Sequence, residues 1–592
     1  MSKIKTYLEK GNNIYLILIV TFIGSVLLRI GLGLLCGQMN VFYDELLHWN
    51  LSKSVYYHLG SNFRNDILSY KEILYSIVLS VSHAFGDGQT QYHVAVAMNS
   101  VLMSSVVFPV YFMSNRFLNN RFRSFLIAVI SIMVPEMYYT TKILQENLYY
   151  PMVIWFFFIF IMLILKNPYK LRNVILMSSY IFLVSLCKQM ALNIFTGVVL
   201  YYILQFLFFD KENRKKCLIS LLFFITVFLG LKFTYDILFN LINHISKESS
   251  AETTIIAILQ NMFDTYLLSR LMYPLLSYLL LTTLYFGYFT VTLPISMSSV
   301  LDKKERNLFI VTCTILLSTI MVICLRIIPA ENLDQVMARF HFRYMFYLVV
   351  PLLITLFSIY DKVKLVKFDL KIIILSVVYL MLLGYISIMP AEGSTIDCVG
   401  ANYIKYLFNS EMMVNTFHML VILWIAGSIY LLYRKKVKAF YGVVAATLLL
   451  SGVISNIYTY IYIYNDKQNS VNKNSDALTL NKYFEDQKDF DWRSLLFVSD
   501  KNVSDAKLET FFERPDYYYS KTDDFKKYIK DFPGESFWNL NLYSFNHLFH
   551  DPKVGYPEYI LTNKWYSIEG YTQSELKLKR YYLYVRDEDG AN

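Results

Sequence analysis

Long apolar runs alternate with short polar ones from about residue 14 to residue 464, after which the chain turns polar to its end. A helix of roughly 20 apolar residues crosses a hydrocarbon layer about 30 Å thick. On that ruler, candidate spans fall near 14–36, 93–114, 124–141, 148–165, 173–187, 190–209, 217–239, 271–294, 308–326, 344–360, 371–389, 412–433 and 439–464, about thirteen in all. The first run, Ile14 to Cys36, is too long for a signal-peptide core and lacks a small-residue cleavage site, so it reads as a retained span.

The connections between spans are of two kinds. Alternate ones are short and basic. They carry Lys3, Lys5 and Lys10; Arg116, Arg121 and Arg123; Lys166, Lys170 and Arg172; Lys211, Arg214, Lys215 and Lys216; Lys303, Lys304 and Arg306; Lys362, Lys364, Lys367 and Lys371; and Arg434, Lys435, Lys436 and Lys438. Lysine and arginine in short loops mark the cytoplasmic side. The pattern therefore predicts a cytoplasmic amino terminus and places residues after about 465 outside. The other connections, 37–92, 240–270, 327–343 and 390–411 with turns near 142–147 and 188–189, fall outside, and function is expected there.

Within the first outer loop, Leu47, Leu51, Val55 and Leu59 recur every fourth residue and predict a helix lying on the membrane surface. A second amphipathic stretch, Lys71 to Phe85, ends at the turn signal Gly86-Asp87-Gly88. After Tyr464, strands are predicted at Ser494 to Val498, Tyr559 to Thr562 and Tyr581 to Val585. Helices are predicted at Asp476 to Gln487, Ser504 to Phe512 and Asp523 to Lys530. The expected fold is a polytopic α-helical membrane protein of about thirteen spans over 1–464, with a small extracytoplasmic α/β domain over 465–592.

Composition agrees with membrane residence. Hydrophobic residues make up 56% of the chain, above the roughly 45–50% of soluble domains. The net charge of +10 sits in connections between spans, where it sets topology, so no nucleic-acid partner is implied. Six cysteines, at 36, 187, 217, 313, 324 and 398, show no C-x-x-C pairing, which argues against a zinc site or a disulfide framework. Gly-rich phosphate loops, G-x-S-x-G and H-E-x-x-H are all missing, and the strings Asp489-Phe-Asp491 and Asp587-Glu-Asp589 are weak signals.

Three polar groups stand out in the outer segments. Asp44-Glu45 follows the first span by about eight residues. A carboxylate held there can accept a proton from an acceptor hydroxyl, or the pair can simply favour the first turn of a helix. Asp44 and His48 share a helical face. The second group is Glu136, Lys142 and Glu146 among Tyr138, Tyr139, Tyr149 and Tyr150, at or near bilayer depth, where ionisable groups default to function unless they snorkel into an aromatic belt. The third is cationic, Lys188 with Arg339-Phe-His341-Phe-Arg343. A helix would put Arg339 and Arg343 on one face, suited to gripping phosphate oxygens; they break the positive-inside pattern, which favours function over nonspecific binding of lipid headgroups by a small margin. Lys232 and Asp236 are expected to pair with each other.

In its order of parts the chain resembles the type C superfamily of membrane glycosyltransferases, which includes protein mannosyltransferases and the lipid A aminoarabinose transferases. Tyr43-Asp44-Glu45, two helices in the first outer loop, Glu146-Asn-Leu-Tyr-Tyr-Pro151, Lys188 and Arg339-Phe-His341-Phe-Arg343-Tyr344 before Pro351 carry the resemblance. It implies Asp44 as the base that activates the acceptor, Glu45 assisting, and Glu146 as a second acid across one cavity. Lys188, Arg339, His341 and Arg343 would hold the phosphate of a polyprenyl-phosphate sugar. The acceptor would be a glycan, lipid or protein of the cell envelope. A divalent cation between Asp44 and Glu146 is conceivable, although some branches manage without metal, and no other cofactor is implied. A W-W-D-type signature is missing, which disfavours transfer of a whole oligosaccharide to asparagine. The rival readings are a transporter or flippase of lipid-linked glycans, a glycan polymerase or ligase, and a noncatalytic scaffold.

Overall fold

The computed structural model describes residues 13–35, 43–60, 62–63, 66–67, 70–242, 264–330, 340–365, 370–385, 397–399, 411–470, 475–487, 490–499, 508, 512, 517–521, 557–566, 568 and 571–587. Arg339, Lys3, Lys5, Lys10, Lys367, the predicted helix at 523–530 and most of that at 504–512 lie outside the described residues.

Each predicted span coincides with a helix or a bent helix pair. Eight are long and apolar enough to cross a bilayer: Asn13–Leu35, Gly88–Leu118, Glu146–Ile164, Ala191–Phe209, Lys211–Ile242, Lys303–Ile327, Asn415–Tyr433 and Val437–Ile461. Two more are bent, Arg121–Ser131 with Pro135–Thr141 by 51° and Met272–Tyr285 with Phe289–Ser296 by 101°. Leu171–Ser185, Phe346–Ser358 and Leu370–Leu383 are shorter apolar helices. Among the described residues the count of full-length spans is therefore eight, or ten with the bent pairs, against about thirteen expected. Hydropathy windows register apolar length but not a helix that stops early.

Both bends have local causes. Pro135 lacks an amide hydrogen and restricts the residue before it, which ends the first helix. At the second, Gly287 holds φ +82°, a left-handed conformation that glycine adopts freely. Helix starts are capped where the sequence allows. Asp87 accepts from the Thr90 amide at 2.9 Å, Asn120 from the Arg123 amide at 3.0 Å, and Asp302 forms a capping box with Glu305. Packing is close where side chains vanish. A Cβ on Gly197 would lie 2.6 Å from Ile315 Cα, so only glycine lets these two spans approach this far.

The first loop departs from expectation. Tyr43–Tyr56 is a helix, but not one with a free face. Glu45, Leu46 and every residue from His48 to Ser54 are buried, because Leu74–Ser80 and its 3₁₀ continuation Val81–Ala84 pack against it. A two-residue ribbon, β1 (Asn62–Phe63) with β2 (Asp66–Ile67), joins the two helices.

Beyond the last span, whose helix runs on to Ser470, a five-stranded sheet forms. Its strands are β3 (Leu495–Ser499), β4 (Tyr518–Lys521), β5 (Tyr559–Thr562), β6 (Tyr571–Gln573) and β7 (Tyr582–Arg586), in the order β4-β3-β5-β7-β6. β3 pairs in parallel with β4 and β5, and β7 is antiparallel to β5 and β6. Helix Ser475–Glu485 covers one face through Leu480 and Phe484. The three predicted strands are β3, β5 and β7 to within a residue or two.

Candidate functional site

Five segments far apart in sequence converge at one end of the helical body. Asp44 and Glu45 occupy the first turn of Tyr43–Tyr56 and Glu146 the first turn of Glu146–Ile159, where unpaired amides favour negative charge. Lys188 lies in the turn between Leu171–Ser185 and Ala191–Leu204. Arg343 sits on a 3₁₀ turn, Phe342–Tyr344, and Asp397 on the described fragment 397–399.

Arg343 is the hub. Its Nη1 lies 3.3 Å from Asp44 Oδ2, while its Nε lies 3.2 Å from Asp397 Oδ1 and 3.8 Å from Glu146 Oε1. Its Nη2 donates to the Tyr344 hydroxyl at 2.8 Å, and its backbone amide donates to the Asp397 carbonyl at 2.9 Å. Lys188 pairs with Glu146 and sits over the rings of Tyr149 and Tyr344. Glu146 and Asp397 are buried, and only 9% of the Arg343 side chain is exposed, whereas Asp44 keeps 40%. Asp44 is thus the carboxylate of the cluster most open to an incoming molecule. The other two are the buried counter-charges of the cations, which a buried charge requires.

Asp44, Glu146, Lys188 and Arg343, proposed from sequence, are brought together. His341 stands beside them, its Nδ1 3.5 Å from Asp397 Oδ1. Glu45 turns away. Fully buried, it accepts the Ile143 amide at 2.9 Å and so braces the turn that leads into Glu146. Arg343 is not on the helix that its spacing from Arg339 suggested, because Phe340 and His341 are not helical and Arg343 belongs to a short 3₁₀ turn; Arg339 itself lies outside the described residues. Lys142 presents its carbonyl to Asn99 and Asn147 and its ammonium to the Tyr138 ring. Lys232 and Asp236 pair as expected, at 3.3 Å, and Lys71 joins them at 3.4 Å. Two participants were missed. Asp397 carries no motif, so nothing local could have flagged it. Tyr344, which meets both cations, was visible only as part of the arginine string.

His48 shares the face of Asp44 and packs between Tyr70 and Tyr75, with ring centroids 5.8 and 5.7 Å away. Burial pushes its imidazole down to about 3, against the pull of Glu146. It is therefore neutral at pH 7. Nearby, the Gln145 side chain donates to the Tyr70 hydroxyl at 2.7 Å and to the Glu72 carbonyl at 3.3 Å, which fixes this wall of the site. Burial raises the Glu72 carboxyl above its ordinary value.

The two carboxylates considered for a divalent cation already have a cationic neighbour. Asp44 and Glu146 both face the Arg343 guanidinium, which already supplies the positive charge between them. Among the described residues no three His, Cys, Asp or Glu side chains come together as a metal shell.

No family model and no curated protein sequence matches the chain. Similar solved structures include ArnT from Cupriavidus metallidurans bound to undecaprenyl phosphate, at 12% identity over 97% of this chain and 99% of that one, with a TM-score of 0.49. Another is the archaeal oligosaccharyltransferase AglB from Archaeoglobus fulgidus, in complex with an inhibitory peptide and a dolichol-phosphate. It is 12% identical over 94% of this chain and 70% of its own, with a TM-score of 0.45. Both are type C membrane glycosyltransferases, and likeness at this level assigns no residue its role.

Proposed function

We propose that the chain is a membrane glycosyltransferase that moves a sugar from a polyprenyl-phosphate donor to an acceptor outside the cytoplasm. The observation that carries this reading is a half-open carboxylate, Asp44, held 3.3 Å from a guanidinium that two buried carboxylates keep in place. The cluster lies at the end of the helices away from the basic loops, outside the cytoplasm by the positive-inside rule. Nucleotide sugars are made and kept on the cytoplasmic side, so a lipid-carried sugar is the simpler donor there.

In the reaction, the donor phosphate docks on Lys188 and Arg343 and draws the guanidinium from Asp44. The freed carboxylate takes the proton of the acceptor hydroxyl as its oxygen bonds the anomeric carbon. The bond from that carbon to the phosphate oxygen breaks, and its electron pair leaves with the polyprenyl phosphate. Lys188 and Arg343 stabilise the added charge, so departure needs cations rather than a general acid. Glu146 and Asp397 orient the two cations, His341 steadies Asp397, and Glu45 positions the turn that carries Glu146.

The test is transfer from radiolabelled polyprenyl-phosphate sugars by purified protein in lipid, wild type against Asp44→Asn. Transfer by the wild type that collapses in the variant supports the reading. Undiminished transfer in the variant removes Asp44 as base, and no transfer with any donor favours the transport alternative.

A further inference from the structure

A second polar feature lies within the membrane body and takes no part in this chemistry. Glu136 follows the bend at Pro135, in the 3₁₀ segment Pro135–Thr141. It is 1% exposed, and its Oε1 has no hydrogen-bond partner among the described residues. Glu136 borders a cavity of about 40 Å³. Tyr285, Phe286, Phe342 and Phe346 form much of the wall, with Leu448 and Ser451 from the last span. Phe342 and Phe346 belong to the stretch that presents Arg343, but Glu136 is not among that residue's ion-pair partners.

We infer that this cavity binds a primary ammonium group, with the Glu136 carboxylate as its counter-ion. An ionised carboxylate with one buried oxygen left unpartnered is costly inside a membrane protein, so the site has to supply a proton, water or a cation. A proton would leave a hydroxyl donor facing mainly hydrocarbon. Ordered water needs two to four polar partners, and the wall is mostly apolar. A hard metal ion wants a shell of oxygen ligands, which this lining does not offer. An ammonium group is satisfied by one carboxylate together with the negative faces of aromatic rings. The space admits a group of that size. The ammonium could belong to a free amine or to the headgroup of a lipid such as phosphatidylethanolamine.

Thermal unfolding of the detergent-purified chain tests this, with methylammonium chloride compared with sodium chloride of equal concentration and with methanol. The expected result is a concentration-dependent rise in Tm on the order of a few degrees with methylammonium alone. The rise disappears in Glu136→Gln and in Leu448→Phe, which fills the cavity and keeps the carboxylate. A parallel arm compares nanodiscs of phosphatidylethanolamine and phosphatidylglycerol. Stabilisation by phosphatidylethanolamine that either variant abolishes, with no response to methylammonium, assigns the ammonium to a headgroup. The inference is overturned if neither source stabilises the wild type, or if either variant that folds keeps the full shift. Should Glu136→Gln fail to fold, Leu448→Phe decides the matter.

Discussion

Ion pairs gather at both ends of the helical body, but in opposite surroundings. At the end that carries the basic loops, Arg123 meets Asp361 at 3.2 Å and Lys303 meets Asp210 at 3.0 Å. Each pair has one open member, Asp361 at 67% and Lys303 at 57%, while Arg123 keeps 19% and Asp210 only 7%. At the other end Arg343, Lys188, Glu146 and Asp397 are buried, and Asp44 alone is substantially open. Asp210 and Lys188 flank the span Ala191–Phe209, whose length, about 28 Å, keeps the two clusters apart. Pairs with an open member contribute less to stability than fully buried ones, and by the positive-inside rule the basic residues of this cluster are expected to mark orientation. Buried charges cost desolvation and are kept where something needs them. The contrast is between half-open pairs beside the basic loops and a buried cluster with one open carboxylate, the candidate site.

The sharpest way to break that contrast is Asp44→Asn. It removes the candidate base while preserving shape, and transfer should fall about 10²- to 10⁴-fold with the unfolding temperature little changed. A variant that unfolds instead would make Asp44 a structural counter-ion like its neighbours. Next in size is Asp397→Asn, which strips a fully buried partner from Arg343. We expect a loss of about 3–5 kcal/mol in stability, read as a large drop in Tm and in the yield of monodisperse protein. Asp361→Asn, the matching change at the exposed end, should cost less than about 1 kcal/mol. Equal losses for these two would erase the distinction between the clusters.

An intermediate effect concerns pH. Burial holds both His48 and His83 down to about 3 in the folded chain, against about 6.5 when unfolded. Between those values the unfolded state binds more protons, so their contribution is complete above about 6.5 and is lost as pH falls towards 3. The slope approaches about 1.4 kcal/mol per pH unit for each histidine. Unfolding followed at pH 7.5 and pH 5 should show the loss in the wild type and a smaller loss in a His83→Gln variant. His83 sits away from Arg343, bonded to Ser52 at 2.7 Å and Gln91 at 3.0 Å. If the pH dependence survives in His83→Gln and His48→Gln alike, other groups carry it.

The sequence by itself determined where the helices lie. Apolar length and loop charge are local properties, and each predicted span is helical in the structure, as β3, β5 and β7 are strands. Only the tertiary structure decided where side chains meet. Asp44 and Arg343 are 299 residues apart, and no periodicity links them. Glu45 adjoins Asp44, yet it faces Ile143 because neighbours on a helix diverge by about 100°. Arg343 left the helix that spacing suggested, since the chain there tightens into 3₁₀ turns before Val349–Ser358 begins. Asp397 entered from a loop with no signature. Local pattern encodes how each segment folds, whereas a site made from five segments exists only once packing has brought them together.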